Sequence, residues 1–551
     1  MHFYYSIPIL TIVASLALAQ DCPPGYEIPE FSWRNCPVEK VPTLQCSTLE
    51  VPLDYSKPSG DTLNLRLVRV PASSTSPRNR SIIYNPGGPV SAIKLLLHSG
   101  WSRERQLLVG NDFHIVTFDP RGTGLSIPFE CPSSNNSRFL KDTDSDLQHL
   151  FDEYSLQADT CAQTKYKDIN ALIGTAYVAR DVKAIAGALG EDGLIRYLGY
   201  SFGTLIGATT AAMFPASIDR MVLDANMNPT DYYYGLGAEA YRDVDNAVAH
   251  FFDLCAEAGP SNCVVGVTGQ KGFQLLQTFE NFLRNLTNAQ SYFIRYRFAT
   301  NLQNPSSFKA QASILRHYYN DSSSIPTISS YKLVDAGDDT RSDEWNPEDS
   351  AKPKTGQAVL GITCGDLIVR PAGSVAKFRE WSNIFETTSK LSGDHEFLGL
   401  LYQCSLWKND ANEKFIGSFT NLRTKNPILY VNTKYDPITP LLSAQNSSAG
   451  FIGSRLLVST GTGHCSPTHP SSELNSAIRQ YFVDASFPAT EKIYNPDEPN
   501  PFITPPKDVT FAIKRKESTA AADLFKDTPA ITRRQGTIPA GCVKKKPTPS
   551  S

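Results

Sequence analysis

A chain of 551 residues is too long for one ordinary core, so a large domain carrying an insertion, or two domains, is expected. Hydrophobic content of 41% with 10% aromatics suits a sizeable core, and 19% charged residues argue against a largely disordered chain. A formal net charge of −3 offers no field that would draw nucleic acid or an anionic membrane.

Residues 1–19 read as a signal peptide: an apolar stretch over 7–18 ends in the small-x-small pattern Ala17-Leu18-Ala19. A membrane anchor is the competing reading, but the run is short and holds Pro8. No later stretch is long and apolar enough to span a bilayer, so no membrane partner is expected. From 20 to about 230 short apolar strands alternate with helices, the pattern of a mostly parallel sheet. The expected strands are 81–84, 114–118, 195–198 and 221–223. A helix is predicted over 176–189, with Val178, Val182, Ile185 and Leu189 on one stripe and Gly190 ending it. From 231 to 410 the alternation gives way to helical patterns, such as 238–255 and 273–286, which read as a helical cap inserted into the core. The core resumes over 411–500 with strands at 427–431 and 455–458 and a helix at 473–482. Residues 501–551, rich in Pro, Ser, Thr and Lys, read as a mobile tail.

Gly199-Tyr200-Ser201-Phe202-Gly203 is a G-x-S-x-G pentapeptide placed after a strand and before a helix-compatible run. That context makes Ser201 a candidate nucleophile on a strained strand-to-helix turn, where its neighbours at minus two and plus two must be nearly free of side chain. A serine hydroxyl needs a base at neutral pH, and in such a sheet the partners follow in the order Ser, Asp, His. Asp436 and His464 each follow a late strand, at the carboxyl ends where an open α/β sheet binds its ligands. His469 is the nearest competitor for the base. Acyl transfer also needs two N–H donors for the oxyanion. The backbone of Phe202 is one candidate. Asn85-Pro86-Gly87-Gly88-Pro89, following an early strand, offers Gly87 or Gly88 as the other.

These segments together resemble the tripeptidyl aminopeptidase-like α/β hydrolases, related to the proline iminopeptidases. The resemblance runs from about Cys46 to Phe482. It rests on Val51-Pro52-Leu53-Asp54-Tyr55, Asn85 to Pro89, and Asp119-Pro120-Arg121-Gly122-Thr123-Gly124. It continues through the elbow region to Asp224, then Asp436-Pro437-Ile438-Thr439-Pro440 and Gly463-His464. Val90 stands where the glycine-rich loop usually continues with glycine, and Asn226-Met227-Asn228-Pro229 replaces a segment commonly acidic before the proline. The resemblance implies an α/β-hydrolase core with no metal or organic cofactor. It also implies a serine hydrolase that cleaves peptides from a free N-terminus, or small amides and esters. An esterase, or a tailoring enzyme for a small secreted metabolite, is the alternative; a non-catalytic binding protein on the same scaffold is another. An exopeptidase must hold a substrate ammonium, and the cap offers Glu239, Asp243, Asp245 and Glu257 as acids.

Secretion would make bridges of most of the 11 cysteines. Cys255 with Cys263 flanks a turn at Gly259-Pro260; Cys36 with Cys46 and Cys364 with Cys404 are further pairings, and the odd count leaves at least one thiol over. Asn79, Asn135, Asn285, Asn320 and Asn446 each begin a glycosylation sequon suited to the same compartment.

Overall fold

The computed structural model describes residues 26–27, 31–36, 44–74, 78–97, 108–132, 143–235, 237–326, 355–392, 396–488, 492–506, 525, 529–534 and 543–544. The signal-peptide reading of 1–19 and the sequon at Asn135 lie outside them.

Thirteen short strands are formed among the described residues: β1 Tyr26–Glu27, β2 Arg34–Asn35, β3 Gln45–Pro52, β4 Thr62–Val70, β5 Arg80–Asn85, β6 Phe113–Phe118, β7 Ile195–Tyr200, β8 Ile218–Asp224, β9 Leu429–Tyr435, β10 Arg455–Thr462, β11 Ile493–Tyr494, β12 Ile531–Thr532 and β13 Val543–Lys544. Eleven of them form one sheet in the order β11-β10-β9-β8-β7-β5-β6-β4-β3-β2, with β12 on β4. The run from β6 to β11 is parallel, and β4, β3, β2 and β12 add antiparallel pairs. β7, β8 and the first five residues of β9 are apolar-rich and mostly buried, because helices cover both faces of a parallel sheet.

The helix Thr175–Ala188 packs its Val178, Val182 and Ile185 on the sheet, and φ at Gly190 is +69°, as its helix-ending role requires. The helix Phe202–Met213 leaves Ser201 and lies close to the strands. A Cβ at Gly207 would sit 2.4 Å from Leu223 Cδ2, so only glycine permits that approach. Between β8 and β9 the described elements are all helical, running from Pro229–Tyr234 to Glu396–Leu406. The helix expected over 238–255 is broken: Ala238–Tyr241 is a 3-10 turn, and the α-helix is Val244–Ala258. The helix Asp144–Cys161, which precedes β7 in the chain, packs into the same helical layer through Leu147, Leu150 and Tyr154. Conversely, Leu360, Ile362 and Trp407 belong to the core against the sheet.

Of the stretch 501–551, read from composition as a mobile tail, residues 501–506, 525, 529–534 and 543–544 are described. Ile531 and Thr532 pair with Leu63 and Thr62, Asn64 Nδ2 donates to Pro529 O, and Phe525 is buried. Phe502 packs edge-on against Phe251 and at a tilt against Phe308 inside the helical layer.

Candidate active site

Asp436 and His464, the expected acid and base, come together at the carboxyl ends of β9 and β10. His464 Nδ1 lies 2.9 Å from Asp436 Oδ2 and 3.2 Å from Oδ1. Asp436 is fully buried and is oriented by the N–H groups of Ile438 and Thr439, both at 2.9 Å to Oδ1. Thr439 Oγ1 touches both partners, at 2.8 Å from Asp436 Oδ2 and 3.1 Å from His464 Nδ1. Burial disfavours a charged imidazole here. The adjoining Asp436 carboxylate and its hydrogen bond outweigh burial and hold the His464 pKa well above the ordinary histidine value.

Ser201 sits at φ 52° and ψ −123°, a conformation rare for a residue with a side chain. Such strain costs ~1–3 kcal/mol and persists only where the surroundings enforce it. The enforcement is visible: a Cβ at Gly199 would lie 2.4 Å from Gly203 O, and one at Gly203 would lie 2.7 Å from Asn85 O. Ser201 N donates to Asp224 O at 3.1 Å. The Asp224 carboxylate takes Ser466 N at 3.1 Å and Ser466 Oγ at 2.6 Å. One buried residue at the end of β8 therefore links the elbow to the loop that carries His464. Sequence reasoning placed Asp224 only within a motif; its position at a strand end was the available signal.

The glycine-rich loop lies against the elbow, since a Cβ at Gly87 would fall 2.7 Å from Ser201 Cβ and 3.3 Å from Phe202 N. The choice left open between the two glycines narrows. Gly87 N donates to Asn85 Oδ1 at 2.9 Å, which leaves the Gly88 N–H as the loop's candidate donor beside Phe202. The loop is anchored behind by Asp119, which accepts Ser91 Oγ and Ile93 N. Arg121, two residues on, is buried in a bidentate pair with Asp181 and also donates to Pro52 O and Leu53 O. Those two motifs thus brace the site from outside it.

Other expectations divide. His469 Nδ1 accepts Thr462 N and its Nε2 contacts Glu498 O, so both ring nitrogens serve the backbone. Glu239 accepts Ser443 Oγ at 2.7 Å, Asn446 Nδ2 at 2.8 Å and Asn228 Nδ2 at 3.2 Å. Asp243 accepts Leu441 N, Asp245 caps the Ser389–Leu391 turn, and Glu257 is exposed. Asn79, Asn285, Asn320 and Asn446 are exposed. Bridges join Cys36–Cys46, Cys255–Cys263 and Cys364–Cys404, and also Cys131–Cys161, a pairing with no local signal; Cys465 is a buried thiol.

Two family models match: alpha/beta hydrolase fold over residues 81–259 and TAP-like protein over 392–493. Tripeptidyl aminopeptidase of Streptomyces coelicolor is 26% identical over 469 residues, 79% of this chain and 80% of the relative. The chain belongs to the tripeptidyl aminopeptidase-like α/β hydrolases. Serine protease Hip1 of Mycobacterium tuberculosis is 37% identical over 210 residues, a match that spans 36% of this chain and only 39% of that relative. Carboxylesterase B of the same organism is 26% identical over 492 residues, covering 84% and 89%. This tripeptidyl aminopeptidase-like hydrolase thus has relatives named as peptidases and as an esterase.

Proposed function

We propose that the protein is a secreted serine hydrolase working through an acyl-enzyme, and that it releases short peptides or amino acids from a free N-terminus. The observation that carries the reading is the buried Asp436–His464 pair on the loops after β9 and β10, tied through Asp224 to the strained Ser201. Ser201 Oγ attacks the substrate carbonyl while His464 Nε2 takes its proton, and Asp436 holds the Nδ1–H and the imidazolium that forms. The N–H groups of Phe202 and Gly88 receive the oxyanion. His464 returns the proton to the leaving amine, which departs. Water then attacks the acyl-enzyme with His464 again as base.

Export is supported by four bridges among the described residues, which persist in oxidising compartments. The exposed sequons at Asn79, Asn285, Asn320 and Asn446 would carry glycans there. The esterase reading is kept because of the carboxylesterase relative.

A fluorophosphonate probe applied to the protein and to Ser201→Ala tests the nucleophile: label is expected on the first alone, and equal labelling of both overturns the assignment. Tripeptidyl amides with free and acetylated N-termini, run beside short-chain esters, test the class. Turnover of esters with none of amides removes the peptidase reading, and equal cleavage of acetylated peptides removes the exopeptidase one.

A further inference from the structure

β4 runs past the end of its neighbour β6. Among the described residues Leu67 to Val70 pair with β6, while Thr62 to Arg66 extend beyond Phe118, at the carboxyl end of the parallel strands where the site lies. A bare strand edge is a liability that a further strand removes. Here the chain's own C-terminal segment covers it. Ile531 and Thr532 pair with Leu63 and Thr62, and Asn64 N donates to Ala530 O at 2.9 Å. Asn64 Nδ2 donates to Pro529 O and Thr532 Oγ1, both at 2.9 Å. Arg534 N donates to Asp61 Oδ1 at 2.9 Å, and its guanidinium forms a buried ion pair with Glu50.

The other anchor of this segment points toward the site. Phe525 is buried, and its ring centre lies 5.9 Å from the guanidinium carbon of Arg66 on β4. Arg66 Nη1 donates to Leu125 O. Leu125 N donates to Asp119 Oδ2 at 2.8 Å. Asp119 Oδ1 in turn accepts Ser91 Oγ at 2.8 Å and Ile93 N at 3.0 Å, just past the glycine-rich loop. Burial opposes the Arg66 charge and Asp119 favours it, so the two groups act on each other. There is no slack between the turn and the loop. A Cβ at Gly124 would lie 2.1 Å from Asp119 Oδ2 and 2.8 Å from Ser91 Oγ.

We propose that the C-terminal segment carrying Phe525 and Ile531 is a positioning element of catalysis. Seated on the edge of β4, it packs Phe525 on Arg66 and so sets, through Leu125 and Asp119, the loop whose Gly88 N–H receives the oxyanion. The inference rests on the Ser201 reading and adds to it a control point remote in sequence. Lifting the segment off β4 slows the chemistry without emptying the site. A strap that served stability alone would lower Tm and leave the rate of each folded molecule unchanged.

The test compares wild type with Phe525→Ala, Ile531→Asp, Arg66→Met and the Arg66→Met/Phe525→Ala double variant. Cys255→Ser/Cys263→Ser, which opens a bridge inside the helical layer, is the destabilised control. Each protein is assayed below its own Tm on an ester and on the matching thionoester, whose sulfur is a weak hydrogen-bond acceptor and makes little use of an oxyanion hole. Fluorophosphonate titration counts the active molecules. In each single variant kcat on the ester should fall about tenfold with KM unchanged, the scale of a misplaced donor. The ester-to-thionoester ratio should fall with it. The double variant should be no worse than the weaker single one, because both changes break the same chain of contacts. The control should lose Tm and keep the ratio. Variants with a lowered Tm but wild-type kcat and ratio per labelled site, or with a loss confined to KM, overturn the inference. Loss of labelling in all three single variants with wild type labelled marks the segment as needed for folding alone and overturns it too. If wild type itself takes no label or turns over no ester, the Ser201 reading fails and the inference falls with it.

Discussion

Replacing Asp224 examines how the site is held together. Its carboxylate receives two hydrogen bonds from Ser466, at 3.1 and 2.6 Å, and both residues are buried. A hydrogen bond to a charged acceptor contributes ~1.5–3 kcal/mol, against ~0.5–1.5 for a neutral one. Asp224→Asn keeps the shape and one acceptor, so it forfeits about 1–1.5 kcal/mol of hold on the His464 loop. Expressed in the transition state, that is roughly a tenfold fall in kcat. Asp224→Ala strands both Ser466 donors and should cost on the order of 100-fold, the scale of a misplaced catalytic group. The backbone bond from Ser201 N to Asp224 O survives either change, so the elbow itself should remain. The assay pairs kcat and KM for a tripeptidyl amide with the rate constant of fluorophosphonate labelling. Both rates should fall together while KM holds, and Ser466→Ala combined with Asp224→Asn should be less damaging than the product of the single effects. Wild-type kcat in Asp224→Asn and Asp224→Ala alike, or a change confined to KM, would refute the reasoning.

Other changes have equally definite outcomes. Asp436→Asn removes the charge that raises the His464 pKa, leaving burial to lower it. Hydrolysis needs the neutral ring, so the acidic limb of the kcat/KM profile should move to lower pH, while the rate at neutral pH falls by on the order of 10⁴. Arg121→Met leaves the Asp181 carboxylate buried with Tyr55 as its remaining side-chain donor and should cost about 3–5 kcal/mol, read as a Tm lower by roughly 10 °C. Replacing Cys131 and Cys161 together by serine opens a loop spanning 30 residues and should cost about 3–4 kcal/mol in chemical denaturation.

The parallel strands were legible because buried β-branched runs leave few alternatives, and the elbow because only glycine fits at 199 and 203. Asp436 and His464 could be read from strand ends in chain order. What sequence could not give was contact across long separations. Ser466 meets Asp224 from 242 positions away, and Asp144–Cys161 joins helices that come a hundred residues later. The acids named from composition show the same limit. Asp245 serves a turn, Glu239 is taken by neutral donors, and Asp243 accepts the Leu441 amide. The glycine-rich loop needed one side-chain bond, Gly87 N to Asn85 Oδ1, to separate two glycines that are alike in sequence.

The helical layer is stitched to the loops it covers. His464 N donates to Gln303 O at 2.9 Å, Leu441 N reaches Asp243, and His250 stacks on Tyr435 with ring centres 3.7 Å apart. A layer fastened to the backbone of the base cannot swing away like a door without dismantling the base. Hydrogen exchange at the Gly463 and His464 amides should then keep pace with the helices around Gln303, whether substrate is present or not.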